Sequence, residues 1–268
     1  MKRPRPKLGQ HFLAHAGIRQ RILDLLGVSP RDTWLEIGAG HGEMTDLLAQ
    51  TGAQILAVET DPALVRQLQT RFADSPNVRL LHADILKLSL AEVARSALLS
   101  GSARIRVYGN LPYYITSPIL QRLFAALDPI ADIFVVVQRE VAERLVASPK
   151  RRDYGYLSAL AQFYTQPEIL LRIPPGAFRP PPRVHSALVR LAPPGVGAGI
   201  PASEAEAFLR FLGLCFRHKR KTLFNNLRGE FAADRLREVV AERGHSLKTR
   251  AEELPVPALL ALYRSLTG

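Results

Sequence analysis

Five short apolar runs alternate with segments of helical periodicity, and this alternation narrows the fold more than any other feature of the chain. The runs are Thr33 to Ile37, Gln54 to Glu59, Val78 to Asp84, Ile105 to Asn110 and Ile133 to Gln138. The segments between them, Met44 to Gln50, Pro62 to Phe72, Ala91 to Leu99 and Pro118 to Leu127, read as helices. Strands that are apolar throughout, rather than at every second residue, are covered on both faces, as parallel strands with crossover helices are. The expected fold is α/β, a doubly wound, mostly parallel sheet. One helix precedes it, because Ile18, Ile22, Leu25 and Leu26 recur at helical spacing and Gly27 ends the segment.

Beyond Gln138 the alternation loosens into a helix from Glu140 to Val146, a mixed segment from Tyr156 to Tyr164, and two β-prone runs, Ile169 to Ile173 and Ala187 to Leu191. The two runs suggest an antiparallel edge pair. Between them PPGAFRPPPRV carries five prolines in eleven residues, which rules out a ladder strand or helix interior and predicts a rigid loop. The Gly/Pro stretch that follows reads as a linker. The expected organisation is a basic flexible segment at 1–16, a catalytic domain at 17–192, a linker at 193–202 and a small all-helical domain at 203–268.

Charge sets this body apart from its ends. The net charge is +12, with seven bases and one acid in residues 1–31, 17 and 15 in 32–202, and 12 and eight in 203–268. A nearly neutral body between basic ends suits a surface that meets phosphates. Drawn as one helix, residues 208–228 align Arg210, Arg217, Lys221 and Arg228, with Phe208, Leu212, Cys215, Phe216 and Leu223 opposite. Lys219 falls inside the apolar stripe, so a break is expected around His218; the same bases also suit a solvated face of an ordinary bundle. The lone cysteine, Cys215, excludes an internal disulfide, and His11 and His15 at i,i+4 lack a third ligand, so no metal is expected. No apolar run is long enough to cross a membrane, and the N-terminus lacks the hydrophobic region of a signal peptide. A monomer in a reducing cytoplasm is the expectation.

Four motifs carry chemistry. The first strand ends in Leu35-Glu36-Ile37-Gly38-Ala39-Gly40-His41-Gly42, where glycines let the backbone approach a ligand. A dinucleotide fingerprint needs a third glycine where Glu43 stands, which favours S-adenosylmethionine (SAM) over NAD. Glu59, at the end of the next strand, can accept both ribose hydroxyls, and Asp84, after the third, can accept the adenine amino group; either acid can also be a solvated strand-end charge. The fourth motif, Gly109-Asn110-Leu111-Pro112-Tyr113, suits an exocyclic amine on a flat base. The Asn110 side-chain oxygen and the Leu111 carbonyl, freed by Pro112, can accept both N–H groups, and Tyr113 can stack on the ring.

These residues resemble the ribosomal RNA adenine N6-dimethyltransferases. The likeness runs through LGQHFL, EIGAGHG, VETDP, HAD, YGNLPYYITSP, VVQREVAERL, YGYLS, PPGAFRPPPRVHSALVRL, FRHKRKTLFNNL and RAEEL, nearly the whole chain. It implies a Rossmann-like methyltransferase fold with a small C-terminal helical domain, SAM as cofactor, and immature small ribosomal subunits as partner. It further implies dimethylation of two adjacent adenosines in the 3′-terminal hairpin loop of small-subunit (16S) rRNA, with methylation of large-subunit rRNA or non-enzymatic ribosome assembly as alternatives. By the same likeness His11, Leu13, Gly38, Glu59, Asp84 and Asn110 contact SAM, Gly40 belonging to the same turn, and Phe178 offers a second face to the target base. The family usually reads GQNFL where this chain has His11.

Overall fold

A computed structural model describes residues 11–93 and 104–268 of the chain. The helix expected at Ala91 to Leu99 lies mostly outside the described residues, as does most of the basic segment at 1–16. Two compact units are formed, one from residues up to Ala142 with Glu168–Pro193, the other from Glu143–Pro167 with Pro194–Gly268.

The first unit holds a seven-stranded sheet. Its strands are β2 (Thr33–Ile37), β3 (Gln54–Glu59), β4 (Val78–His82), β5 (Ile105–Asn110), β6 (Ile130–Gln138), β7 (Gln166–Ile173) and β9 (Ser186–Ala192), in the order β4-β3-β2-β5-β6-β9-β7. The pairs β2/β3, β3/β4, β2/β5 and β5/β6 are parallel. The two β-prone runs expected at the edge are β9 and β7; β9 lies antiparallel to β6 with β7 outside it. Every residue of β2 is buried, Trp34 completely, which matches its unbroken apolar sequence. The strand order reverses between β2 and β5, so their carboxyl ends flank the crevice where open sheets bind ligands.

Helices α1 (Ala16–Leu26), α2 (Glu43–Gln50), α3 (Pro62–Arg71) and α4 (Thr116–Phe124) belong to this unit. The His15 side chain accepts from the Ile18 N–H and so caps α1, and the described residues contain no group of three metal-ligating side chains. Asp61 caps α3 by accepting from Ala63 and Leu64, with Pro62 at the first turn where its missing N–H costs nothing. Arg106 fastens α1 to the sheet: its guanidinium donates to the Leu26 and Gly27 carbonyls and to Asp32, and lies 4.5 Å from the Trp34 ring centre.

The proline-rich segment is not wholly a loop. Phe178 and Arg179 form β8, paired antiparallel with β1 (Phe12–Leu13). Pairing is possible because both residues keep their N–H groups, and Pro180 favours extended backbone in the residue before it.

The second unit corrects the expected boundaries. Tyr156–Tyr164, read as a mixed segment of the catalytic domain, is a helix, here α6, following α5 (Arg139–Val146). Its Ala159 and Phe163 share a buried core with Phe208, Leu212 and Leu259, and this burial draws 143–167 to the helical unit. The stretch at 193–202 is packed as well: the Gly195, Val196 and Gly197 N–H groups donate to the Tyr164, Gln162 and Phe163 carbonyls. The remaining helices are α7 (Ala202–Cys215), α8 (Leu223–Leu227), α9 (Ala233–Glu242) and α10 (Val256–Thr267). The break expected around His218 lies between α7 and α8, where Asn226 donates to the Cys215 and His218 carbonyls and Thr222 caps α8. The four bases drawn on one helical line therefore sit on separate elements.

Candidate active site

The glycine turn after β2 sits at the carboxyl end of the sheet because one backbone carbonyl and one side-chain carboxylate of β3 bind it there. Gly38 and Ala39 donate to the Val58 carbonyl, and Gly40 donates to Glu59 Oε2 at 2.9 Å. Gly38 and Gly40 have φ of 74° and 59°, the left-handed region that side chains other than glycine rarely adopt. A Cβ on Gly40 would also press on the Phe12 ring at 3.0 Å.

Glu59 is buried at the end of β3. Its Oε1 accepts from the Thr60 and Asp61 N–H groups, at 2.8 and 2.9 Å, and its Oε2 from Gly40. Three N–H groups thus fix the carboxylate before any ligand arrives. A carboxylate has about four lone-pair positions, so Oε2 keeps room to accept from a hydroxyl beside the donors among the described residues. Asp84 follows β4, with Oδ1 accepting from the Leu86 N–H at 2.9 Å.

Asn110 ends β5. Its Nδ2 donates to the His11 carbonyl at 2.8 Å, which fixes the amide and leaves Oδ1 as an acceptor with no partner among the described residues. This contact uses the backbone of residue 11, so the family's asparagine is not required for it. The His11 ring has its own anchor: Nδ1 donates to the Pro180 carbonyl at 2.7 Å, and the ring centre lies 5.3 Å from that of Tyr113. Tyr113 is half-buried, held by a 2.8 Å hydrogen bond between its hydroxyl and the Ser186 hydroxyl. Burial raises the phenol above its ordinary pKa, so the ring is neutral at physiological pH.

His11, Gly38, Gly40, Glu59, Asp84, Asn110, Leu111, Pro112 and Tyr113 line one pocket. Two expected residues stand apart. Leu13 is a core residue beside the pocket, its carbonyl accepting from Arg19. Phe178 is 1 % exposed, locked into the core opposite Leu13 by the β1/β8 pair, so its ring is not presented to a base. Tyr114 takes the open position instead: it lines the pocket and is 59 % exposed. Sequence reasoning passed over it, although an aromatic residue directly after the Asn-Leu-Pro-Tyr run was a visible signal.

The lining also tests the cofactor. It carries two carboxylates, Glu59 and Asp84, and neither lysine nor arginine among the described residues. A pyrophosphate would meet repulsion there, whereas a cationic sulfonium would be attracted. Val58, Ile85 and Ile37 supply apolar walls for a nucleoside. These residues fit SAM and disfavour NAD.

Comparison with known proteins agrees with this chemistry. The family described as ribosomal RNA adenine dimethylase matches residues 1–267. A ribosomal RNA small subunit methyltransferase A from Koribacter versatilis is 42% identical over 269 residues, covering 97% of this chain and 93% of that protein. The protein of the same description from Pseudomonas syringae pv. tomato is 37% identical, covering 99% and 95%. Among solved structures, a dimethyladenosine transferase from Plasmodium falciparum has a TM-score of 0.75 at 21% identity, covering 94% of this chain and 96% of that one. The 23S rRNA methyltransferase ErmE has a TM-score of 0.72 at 23% identity, covering 96% and 100%. At such identities these two structures speak for the fold. The match of motifs, fold and nearly the full length of its relatives establishes that the chain belongs to the ribosomal RNA adenine dimethylase family.

Proposed function

We propose that this enzyme uses SAM to dimethylate N6 of two adjacent adenosines in the 3′-terminal hairpin loop of small-subunit rRNA, acting on immature small subunits. The observation that carries the chemistry is the fixed amide of Asn110, whose Nδ2 is spent on the His11 carbonyl and whose Oδ1 has no partner among the described residues and can accept. An adenine amine is a poor nucleophile because its lone pair is delocalised into the ring. Accepting one N–H at Asn110 Oδ1 and the other at the Leu111 carbonyl favours the geometry in which that lone pair is available. Tyr113, tethered through Ser186, offers a rigid face for the base, and Tyr114 a second ring at the mouth.

When bound, SAM supplies an electrophilic methyl group on a sulfonium. Glu59, Asp84, Gly38 and Gly40 hold the cofactor's nucleoside and tail, and placement, rather than acid or metal assistance, is what the protein adds. The small-subunit substrate is favoured by the description and near full-length coverage of the 42% and 37% identical relatives. RNA contact is assigned to the helical unit, where Arg217, Lys219, Arg220 and Lys221 crowd into the break between α7 and α8. Lys219 donates to the Arg152 carbonyl at 2.9 Å and so brings a second basic loop, Lys150 to Arg152, alongside. Of the other expected contacts, Arg210 pairs with Glu206, Arg217 lies 3.7 Å from Glu230, and Arg228 is exposed.

Incubation with SAM and unmodified small subunits, followed by mass mapping of the RNA, tests the reading. Two adjacent dimethyladenosines near the 3′ end are expected. Methylation confined to large-subunit RNA would overturn the substrate, and no methylation with retained RNA binding would favour an assembly role.

A further inference from the structure

Behind the glycine turn lies a second, smaller cavity that the methyl-transfer chemistry does not use. Register pairs Glu36 of β2 with Tyr108 of β5, and Asn110 lies two residues beyond on the same face. Tyr108 is 1 % exposed, and its hydroxyl has no hydrogen-bond partner among the described residues. A buried hydroxyl left unpaired is costly, and such groups ordinarily hold ordered water. The cavity has a volume of ≈ 30 Å³, room for about two waters. Glu36, Tyr108, Arg19, Glu43 and Asn110 line it, and it shares Phe12, Gly38, Gly40 and Asn110 with the active-site pocket. Arg19 and Glu43 also line an open groove between α1 and α2.

Glu36 is set among like charges. Glu43 and Asp46 of α2 and Glu59 of β3 act on it, the Thr45 hydroxyl donates to its Oε2 at 2.6 Å, and Arg19 of α1 is the guanidinium in the lining. Burial first, then these carboxylates, push its carboxyl up to about 8, against the lowering effect of Thr45. A carboxyl so placed is neutral near pH 7 and ionises when positive charge arrives nearby.

We propose that Glu36 is a charge-sensing residue for the cofactor: held with Tyr108 around cavity water, its carboxyl releases a proton when the positively charged methyl donor binds and regains it when only the neutral thioether product remains. This rests on the SAM reading given above. SAM carries a sulfonium, an ammonium and a carboxylate, for a net +1, whereas the demethylated product is neutral overall. The O–H bond of Glu36 breaks and the proton passes through cavity water to solvent. Ionised Glu36 then attracts donor and not product, a useful bias for an enzyme that must exchange one for the other between two transfers.

Calorimetric titration at pH 7 in two buffers of different ionisation enthalpy counts the protons released. The wild-type protein is expected to release most of one proton with SAM and close to none with the product, and Glu36→Gln is expected to remove that difference. The product-to-donor ratio of Kd should rise about tenfold between pH 6.5 and 9 in the wild type and stay flat in Glu36→Gln. A crystal structure should show water on Tyr108 Oη that is lost in Tyr108→Phe. Equal proton counts for the two ligands, a difference that persists in Glu36→Gln, or a dry cavity would overturn the proposal while leaving the cofactor reading intact. Failure to bind either ligand would overturn the cofactor reading itself.

Discussion

Asn110 concentrates more of the proposed chemistry than any other side chain. Its amide is oriented before substrate arrives, so Asn110→Ala removes a preorganised acceptor rather than a packing contact, the residue being only partly buried at a strand end. Turnover is expected to fall by roughly 100-fold to 1000-fold with thermal stability nearly unchanged. Single-turnover methylation together with a melting curve checks both halves, and a normal rate in the folded variant would place amine activation elsewhere. Glu36 makes a second residue-scale prediction. Its carboxyl pKa is raised in the folded state, so the stability it contributes is fully present below the ordinary carboxylate range and is lost as pH climbs through about 8. Glu36→Gln should therefore flatten the pH dependence across that window, by up to about 1.4 kcal/mol per pH unit, and leave the variant more stable than the wild type at pH 9. Urea unfolding at several pH values measures this; parallel curves for the two proteins would show that Glu36 titrates normally.

At the scale of elements, the turn from β2 into α2 links fold to site most tightly. Gly40 has positive φ, faces the Phe12 ring, and gives its N–H to Glu59. Gly40→Ala should cost about 1 to 2 kcal/mol from the left-handed backbone alone. Because the same distortion loosens the Glu59 anchor, SAM affinity should fall together with stability; calorimetry and denaturation on one preparation test that coupling, and an unchanged Kd in a destabilised variant would separate turn from site. The turn was legible in sequence because its chemistry is local: strand, glycines, then helix, with acids at the ends of the next two strands. Phe178 was not, since its burial depends on a pairing between β1 and β8 across 165 residues, among prolines that argued against any strand. Tyr156–Tyr164 was missed for a related reason. It is buried almost all round by partners from α7 and α10, so no polar face marks its period. The cavity at Tyr108 was equally hidden, because an unpaired hydroxyl is a property of packing and not of composition.

At the scale of the whole molecule, the basic charge seen at the C-terminal end of the sequence resolves into two populations. Arg210, Arg235, Arg237 and Arg264 are engaged with Glu206, Glu238, Asp234 and Glu204, and such exposed pairs already neutralise one another. Arg220 and Lys221, in the break between α7 and α8, are exposed and form no ion pair among the described residues. A phosphate backbone gains most from cations that give up no partner on binding, since each such contact releases condensed counterions. The double variant Arg220→Ala, Lys221→Ala should therefore flatten the dependence of log K on log salt by about 1.5 for small-subunit RNA. Arg210→Ala should change that slope little, because Arg210 must first leave Glu206. SAM affinity should be unaltered in both, since the described residues lining the pocket proposed for the cofactor all belong to the sheet unit. Filter binding across a salt series, with calorimetry for the cofactor, reads both quantities. Equal slope changes from the paired and the unpaired bases would mean that the helical unit is felt by RNA as a diffuse positive field, and that the break between α7 and α8 is not a docking point.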